Sequence, residues 1–387
     1  MNLLSRQAES LFWLGRYIER ATSLARVLQV QTAFDRGRTG GSSWAWLLAL
    51  YDESQDFYRH YEDASNQNVI RYFVADKEHP GSVLRTLEAS RSNARALRAM
   101  ISTELWMHAN QAYRRVQNLP EEALSETRLA ATCQSVQLDC YALEGIANAT
   151  LYRDAGWRFY QLGLDTERAD QMSRLLDVRF AQLMAGDAAE EGGIGDFTHW
   201  SMLLRACGGH HAYRRLVSGP LQSQNVARFL IFEQSFARSI AYCVGGLERS
   251  VNELRSICSA PPSGRVADRI NRLITMLQVA QGDPGLVKGL HQFNDAVQRQ
   301  LIGLTDDLGA CYFGIDAEEI SVDEAPASAE PDWVVVEDDS DGADASTAKT
   351  ADGAHAEGPA NSASSTAQSQ SQSQEVSPTQ SQSQDQT

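Results

Sequence analysis

Apolar positions along the chain recur with the period of a helix and with no other. Leu4, Leu11, Leu14, Ile18, Ala21, Ala25 and Leu28 fall on one arc at 100° per residue, and Trp13, Tyr17 and Leu24 widen it. Ser5, Glu9, Arg16 and Glu19 gather on the opposite side, with Arg20 and Arg26 at its margins. An apolar arc wider than a half-turn predicts a helix packed against several neighbours. Residues 82–117 and 121–146 also read as long helices, the second entered by Pro120 in its first turn. The stretches 221–257 and 265–309 read likewise, interrupted at Pro261-Pro262 and around Gly282-Asp283-Pro284. Glycine-rich runs at 37–41 and 191–195 predict loops. No run of alternating residues bounded by turn signals suggests a sheet. The expected fold class is all-α.

The pattern occurs twice. Leu14-Gly15-x-x-x-Glu19-Arg20-Ala21, continuing to Arg26-x-Leu28-x-Val30, returns as Leu162-Gly163-x-x-x-Glu167-Arg168-Ala169, continuing to Arg174-x-Leu176-x-Val178. Trp44-x-x-Leu47-Leu48 returns as Trp200-x-x-Leu203-Leu204, and Tyr58-Arg59 as Tyr213-Arg214. Asn68-Val69-x-Arg71-Tyr72-Phe73 returns as Asn225-Val226-x-Arg228-Phe229-Leu230, and Ser82-Val83 as Ser239-Ile240. The offsets of 148, 156, 155 and 157 preserve the order of the blocks and drift by loop-sized steps. We therefore expect residues 1–315 to be a tandem duplication, with halves at about 1–147 and 148–315 that superpose as bundles. Gly15 and Gly163 would let the two first helices approach closely. Arg16 and Tyr17 become Leu164 and Asp165, so the two Glu-Arg sites need not be equivalent.

Charge divides the chain differently. Of the formal net charge of −16, residues 316–387 carry −15, which leaves the body close to neutral. A neutral body supplies no basic footprint for nucleic acid or an anionic membrane surface. The tail opens acidic, turns Ala/Gly/Ser-rich and ends largely in Ser-Gln alternation, so we expect disorder. Trp333-Val334-Val335-Val336 interrupts it as an apolar patch of the kind a docking peptide uses. The six cysteines are scattered, which fits reduced, buried thiols. No signal peptide or membrane-length apolar run is recognisable, and a cytoplasmic location is the default expectation. Arginine outnumbers lysine 31 to three (Lys77, Lys288, Lys349); this follows from base composition or supplies planar forks for carboxylates.

Ser5-Arg6-x-Ala8-Glu9-x-x-x-Trp13-x-Gly15-Arg16-Tyr17-x-Glu19-Arg20-Ala21 resembles the opening of the bacterial alpha-E family of helical proteins, named for a Glu-Arg motif. Ser102-Thr103-Glu104-Leu105-Trp106-x-x-x-Asn110 and Arg153-Asp154-x-Gly156-Trp157-x-Phe159 resemble its internal motifs. The resemblance covers nearly all of residues 1–315 and implies an all-helical fold. Genes of that family commonly neighbour those for circularly permuted ATP-grasp ligases and transglutaminase-like proteases. The resemblance thus implies a helical accessory or co-catalytic protein in a peptide- or amide-modifying system, partnered by such a ligase and protease. The alternatives are a stand-alone enzyme or small-molecule-binding protein with an anion-binding Glu/Arg cleft, and a purely structural scaffold.

The candidate site residues are Glu9, Arg16, Glu19, Arg20, Arg26, Glu167, Arg168 and Arg174. Glu19 and Arg26 lie two turns apart on one face, as do Glu167 and Arg174. Arginine can clamp a carboxylate or phosphate while a glutamate holds an amine or acts as base. The other reading has each Glu accept an Arg from a neighbouring helix, pinning the halves together. Since only Glu19 has an arginine three residues earlier, a single ligand site is expected nearer Glu19. Arg95, Glu104 and Asn110 belong to a polar ladder, with Arg91, that could line a cleft or bridge helices. Arg205-x4-His210 has the spacing of a helical ribonuclease motif, but Gly208 and Gly209 break the helix that spacing requires. Asp306-Asp307 and Glu318-Glu319 read as solvated charge. No metal site, cofactor fingerprint or nucleophile motif is expected.

Overall fold

A computed structural model describes residues 3–35, 44–185, 194–257 and 264–314, without the side chains of 179–198. Two helices of 31 residues organise it: α1, Ser5–Asp35, and α8, Ala155–Ala185. Between them run α2 (Trp46–Leu50), α3 (Ser54–His60), α4 (Asn66–Ala75), α5 (Val83–Ala96), α6 (Thr103–Gln117) and α7 (Leu129–Thr150). After them come α9 (Ile194–Ala206), α10 (His210–Leu216), α11 (Ser223–Phe232), α12 (Ile240–Ile257), α13 (Gly264–Gly282) and α14 (Leu290–Leu308). No strand occurs among the described residues, and the fold is all-α. No described helix is long and apolar enough to cross a membrane.

α1 and α8 cross at two glycines with backbone against backbone. A Cβ on Gly163 would fall on the Phe12 carbonyl, 2.8 Å from its carbon, and one on Gly15 would stand 3.0 Å from the Leu164 amide nitrogen. Only glycine admits that approach. α5 and α7 then pack on α1, and α12 and α14 pack on α8. The apolar arc of α1 is accordingly buried, with Leu11, Phe12, Leu14, Ile18, Ala21 and Leu28 in the core.

Several predicted helices are shorter than their apolar pattern. The stretch 82–117 breaks after α5, because Ser102 caps α6 by accepting the Leu105 amide at 3.2 Å. The stretch 221–257 breaks after α11, and Ser239 caps α12 through the Tyr242 amide at 3.0 Å. Pro120 precedes a single 3-10 turn, Glu121–Leu124, and α7 begins only at Leu129. Gly195 lies within α9 rather than in a loop. The remaining glycine-rich positions at 37–41 and 191–193, and the whole tail with Trp333, lie outside the described residues.

Elements that carry the recurring blocks share local geometry. The turn after α2 places Asp52 at φ 55°, and the turn after α9 places Gly208 at φ 72°. Both close with the same pair of bonds: Asp52 N to Ala49 O and Glu53 N to Leu48 O, against Gly208 N to Arg205 O and Gly209 N to Leu204 O. Ser82 and Ser239 both donate their hydroxyls to the carbonyl six residues earlier, of Asp76 and Glu233.

Candidate functional site

The polar side of α1 faces the polar side of α8, so Arg16 and Glu19 are buried although the periodicity set them opposite the core. Each glutamate is held by the other helix. Arg20 grips Glu167 with two parallel bonds, Nε to Oε1 at 2.6 Å and Nη2 to Oε2 at 3.0 Å. Arg168 Nε donates to Glu19 Oε2 at 2.9 Å and its Nη2 to Glu144 Oε1 at 2.6 Å. A second arginine completes each carboxylate from a different place. Arg16 Nε reaches Glu167 Oε2 at 2.7 Å, and Arg238, just before α12, forks onto both oxygens of Glu19. Ser23 Oγ and Gln171 Nε2, each four residues after its glutamate, add a bond of 2.9 and 3.1 Å.

Burial alone would favour the neutral acid, but the guanidinium groups outweigh it. Glu19, beside Arg238 and Arg168, is held down to about 2, and Glu167, beside Arg20 and Arg16, equally so. Both are permanent carboxylates whose lone pairs are occupied, with nothing to offer as a base near neutral pH. The proposed i−3 pairing of Arg16 with Glu19 is not made, because Arg16 crosses to Glu167; the inference that a ligand site lies nearer Glu19 loses its footing. Nor do the two-turn partners meet. Arg26 donates to the Tyr141 hydroxyl at 2.6 Å, and Arg174 Nε to Asp170 at 3.1 Å. Glu9 is half-buried near the start of α1 and joins none of the ion pairs among the described residues.

On either side of this layer lies a cavity, and the two are unequal. The one bordered by Tyr51 and Cys207, with Arg238 and Arg168 in its wall, holds about 20 Å³. The other, bordered by Arg20, Arg174, Tyr51, Glu53, His79 and Gly81, holds about 180 Å³. A water needs roughly 10–15 Å³ by this kind of measure, so the first admits one or two and the second on the order of ten. One contrast lies at a matched pair of positions. Arg238 precedes Ser239 as Gly81 precedes Ser82; where Arg238 sends a guanidinium into the layer, Gly81 sends nothing.

The larger cavity has unfinished polar chemistry. His79 is 4% exposed, stacks on Tyr72 with ring centroids 4.0 Å apart, and neither of its ring nitrogens has a hydrogen-bond partner. Its Nδ1 stands 3.9 Å from Glu53, too far for a bond. Burial lowers its pKa to about 4, so the ring is neutral and lacks both a donor and an acceptor partner. Its Cε1–Nε2 edge faces Gly81, where a Cβ would come within 2.9 Å. Arg174 engages Asp170 through Nε alone, leaving both Nη groups without partners. Glu53 accepts the Tyr72 hydroxyl on Oε2 at 3.0 Å, and burial raises its pKa. Tyr51, Glu53, His79, Gly81, Gln171 and Arg238 escape sequence reasoning based on motifs; comparing the residues that flank the matched Ser82 and Ser239 blocks would have exposed Gly81 against Arg238.

Other candidates resolve into local structure. Arg91 Nε bonds Asn110 Oδ1 at 2.7 Å, bridging α5 to α6, while Arg95 and Glu104 are exposed. Arg205 closes α9 and His210 opens α10, with the glycine turn between them, so the spacing spans no continuous helix; His210 and His211 are helical rather than in a loop. They border a broad groove of about 770 Å³ that also includes Arg26. Asp307, read as solvated, is buried and accepts from Arg269 Nε at 2.5 Å. Cys133, Cys140, Cys207 and Cys243 are buried free thiols, with Cys311 partly covered. Asp177, His291 and Asp295 bring ligand-type atoms within 4.8 Å of one another, but His291 is exposed and bonds Asp177 at 2.8 Å.

Residues 3–313 match the model of a family described as Alpha-E, a predicted alpha-helical domain with a conserved ER motif. An uncharacterized protein of Mycobacterium bovis is 26% identical over 286 residues, covering 69% of this chain and 32% of the relative. One from Mycobacterium tuberculosis is 25% identical over the same length, with the same coverage. The chain thus spans 32% of the length of the curated relatives it matches. No solved structure matches.

Proposed function

This chain belongs to the alpha-E family, and from that premise we propose that it is a helical accessory protein of an ATP-grasp-type, amide-forming or peptide-modifying system. In this reading the Glu-Arg layer is the interior lock and the 180 Å³ cavity beside it is the binding place. The observation that carries it is the contrast between the two: Glu19 and Glu167 are saturated by arginines, whereas the buried His79 ring has no partner on either nitrogen. Polar groups left unsatisfied within a cavity are what a ligand completes.

A stand-alone acid–base enzyme built on Glu19, Arg20, Glu167 and Arg168 is the weaker reading, since both glutamates are saturated by arginines. The partner assignment, an ATP-grasp ligase with a transglutaminase-like protease, rests on the family resemblance. We also propose that the halves derive from duplication. Matching turns, capping serines and reciprocal Glu-Arg pairs support that origin.

The test is co-expression with an ATP-grasp-type ligase from the same genome, with ATP-dependent amide product followed by mass spectrometry. Product formation should require this chain, and the two proteins should co-elute. A ligase that forms the same product at the same rate alone, and does not co-elute, would remove the accessory reading.

A further inference from the structure

We propose that the cavity between α1, α8 and the turns at 51–53 and 79–81 binds a free α-amino acid as its zwitterion. The inference rests on reading the cavity as the binding place, but not on the ligase partnership.

The charges of the wall favour this class. Arg20 and Arg174 supply two guanidinium groups, and Glu53 and Asp170 two carboxylates, around one space. A ligand of net charge would leave one sign uncompensated in a half-buried site, at a desolvation cost that a zwitterion avoids. The guanidiniums have donors to spare on that side. Arg20 bonds Glu167 through Nε and Nη2, and Arg174 bonds Asp170 through Nε, so Nη groups of both remain to receive an α-carboxylate. Glu53 keeps one oxygen beyond its bond to Tyr72 and lies in the same wall, suited to an ammonium. The neutral His79 ring borders the same space with both nitrogens unpartnered but covered, so one of them reaches the ligand only if the ring turns toward the cavity. The volume of about 180 Å³ suits a small amino acid and excludes a nucleotide.

The chain itself gives a contrast. In the block that matches His79–Ser82, the residues are Phe236 and Arg238 where the cavity has His79 and Gly81. That side holds about 20 Å³, with its arginine committed to Glu19. The matched positions thus differ where the ligand would sit.

Isothermal titration of the full chain with the proteinogenic amino acids tests this, with propionate, ethylamine and inorganic phosphate as one-charge controls. At least one amino acid should bind, and its deaminated and decarboxylated counterparts should bind at least about tenfold more weakly. Arg174→Gln should weaken that binding roughly tenfold. His79→Phe, which borrows the residue of the matching block and keeps the stack on Tyr72, should do the same. Melting temperatures without ligand show whether each variant is folded. Absence of binding by any amino acid, equal binding of the one-charge controls, or unchanged affinity in both folded variants would overturn the proposal. Failure here with product still dependent on the chain removes the ligand class and leaves the partnership. Binding of an amino acid without any effect on a ligase does the reverse.

Discussion

Replacing Glu167 by glutamine removes one charge from a side chain with no exposed surface and leaves Arg16 and Arg20 beside a neutral amide. Four donor contacts converge on this carboxylate at 2.6–3.1 Å. Stripping one partner from a buried ion pair costs about 3–5 kcal/mol. Against a domain stability of about 5–15 kcal/mol, that is a large fraction. The sign agrees with the electrostatics: the Arg20 and Arg16 guanidiniums outweigh burial and hold the carboxyl at about 2, below its usual 4.5. The pH dependence follows from the sign. The folded-state pKa lies below the unfolded one, so the stabilisation is complete above about 4.5 and is lost as pH falls through about 2. Urea denaturation followed by circular dichroism should therefore show the largest gap between wild type and Glu167→Gln at pH 7. The gap should narrow below pH 4.5. Glu19→Gln, whose carboxylate is also held at about 2 by Arg238 and Arg168, should lose a similar amount. A loss under about 1 kcal/mol at pH 7, or a gap that does not change with pH, would refute the lock.

Gly163→Ala gains about 1 kcal/mol of helix propensity but drives a methyl into the Phe12 carbonyl, and should destabilise by a net of about 1–2 kcal/mol in the same denaturation assay. Asp165 has the opposite behaviour to the glutamates: burial, opposed by Arg168 and Arg249, raises its pKa to about 7. Its stabilising, protonated contribution is complete below about 3.8 and is lost as pH rises through 7, so Asp165→Asn should stabilise by about 2–4 kcal/mol at pH 8 and by almost nothing at pH 4. Asp52 holds φ 55° where the matching turn uses Gly208; Asp52→Gly should stabilise by about 0.5–1 kcal/mol, read as a higher urea midpoint at unchanged slope.

The helices and their close crossing were legible because both are written in local spacing: Leu11, Leu14, Ile18 and Leu28 state the face, and Gly15 and Gly163 state the contact. Breaks at Leu97–Ser102 and before Ser239 were not, since apolar residues continue through them and the signal is one hydroxyl. The burial of Arg16 and Glu19 also ran against the pattern. Periodicity assigns polar residues to solvent, and it has no term for a second helix that brings an equally polar stripe. The pairing partners stayed hidden for a related reason. Arg238 lies in a turn, outside any helical period, and the cavity takes Tyr51, Glu53 and His79 from turns and Arg20 and Arg174 from two helices far apart in sequence. What was legible of the site was its glutamates and arginines. Which of them is spent, and which remains available, depends on contacts across 147 to 219 residues.

Those separations set a timetable for synthesis. Arg168 follows Glu19 by 149 positions and Arg238 by 219. At translation rates of about 5–20 residues per second, the carboxylate waits on the order of ten to forty seconds for its last counterion. Through that interval the face of α1 that packs on α8 lacks its neighbour. Glu19 takes both of its arginines from later in the chain, so its buried carboxylate is fully neutralised only once translation has passed Arg238.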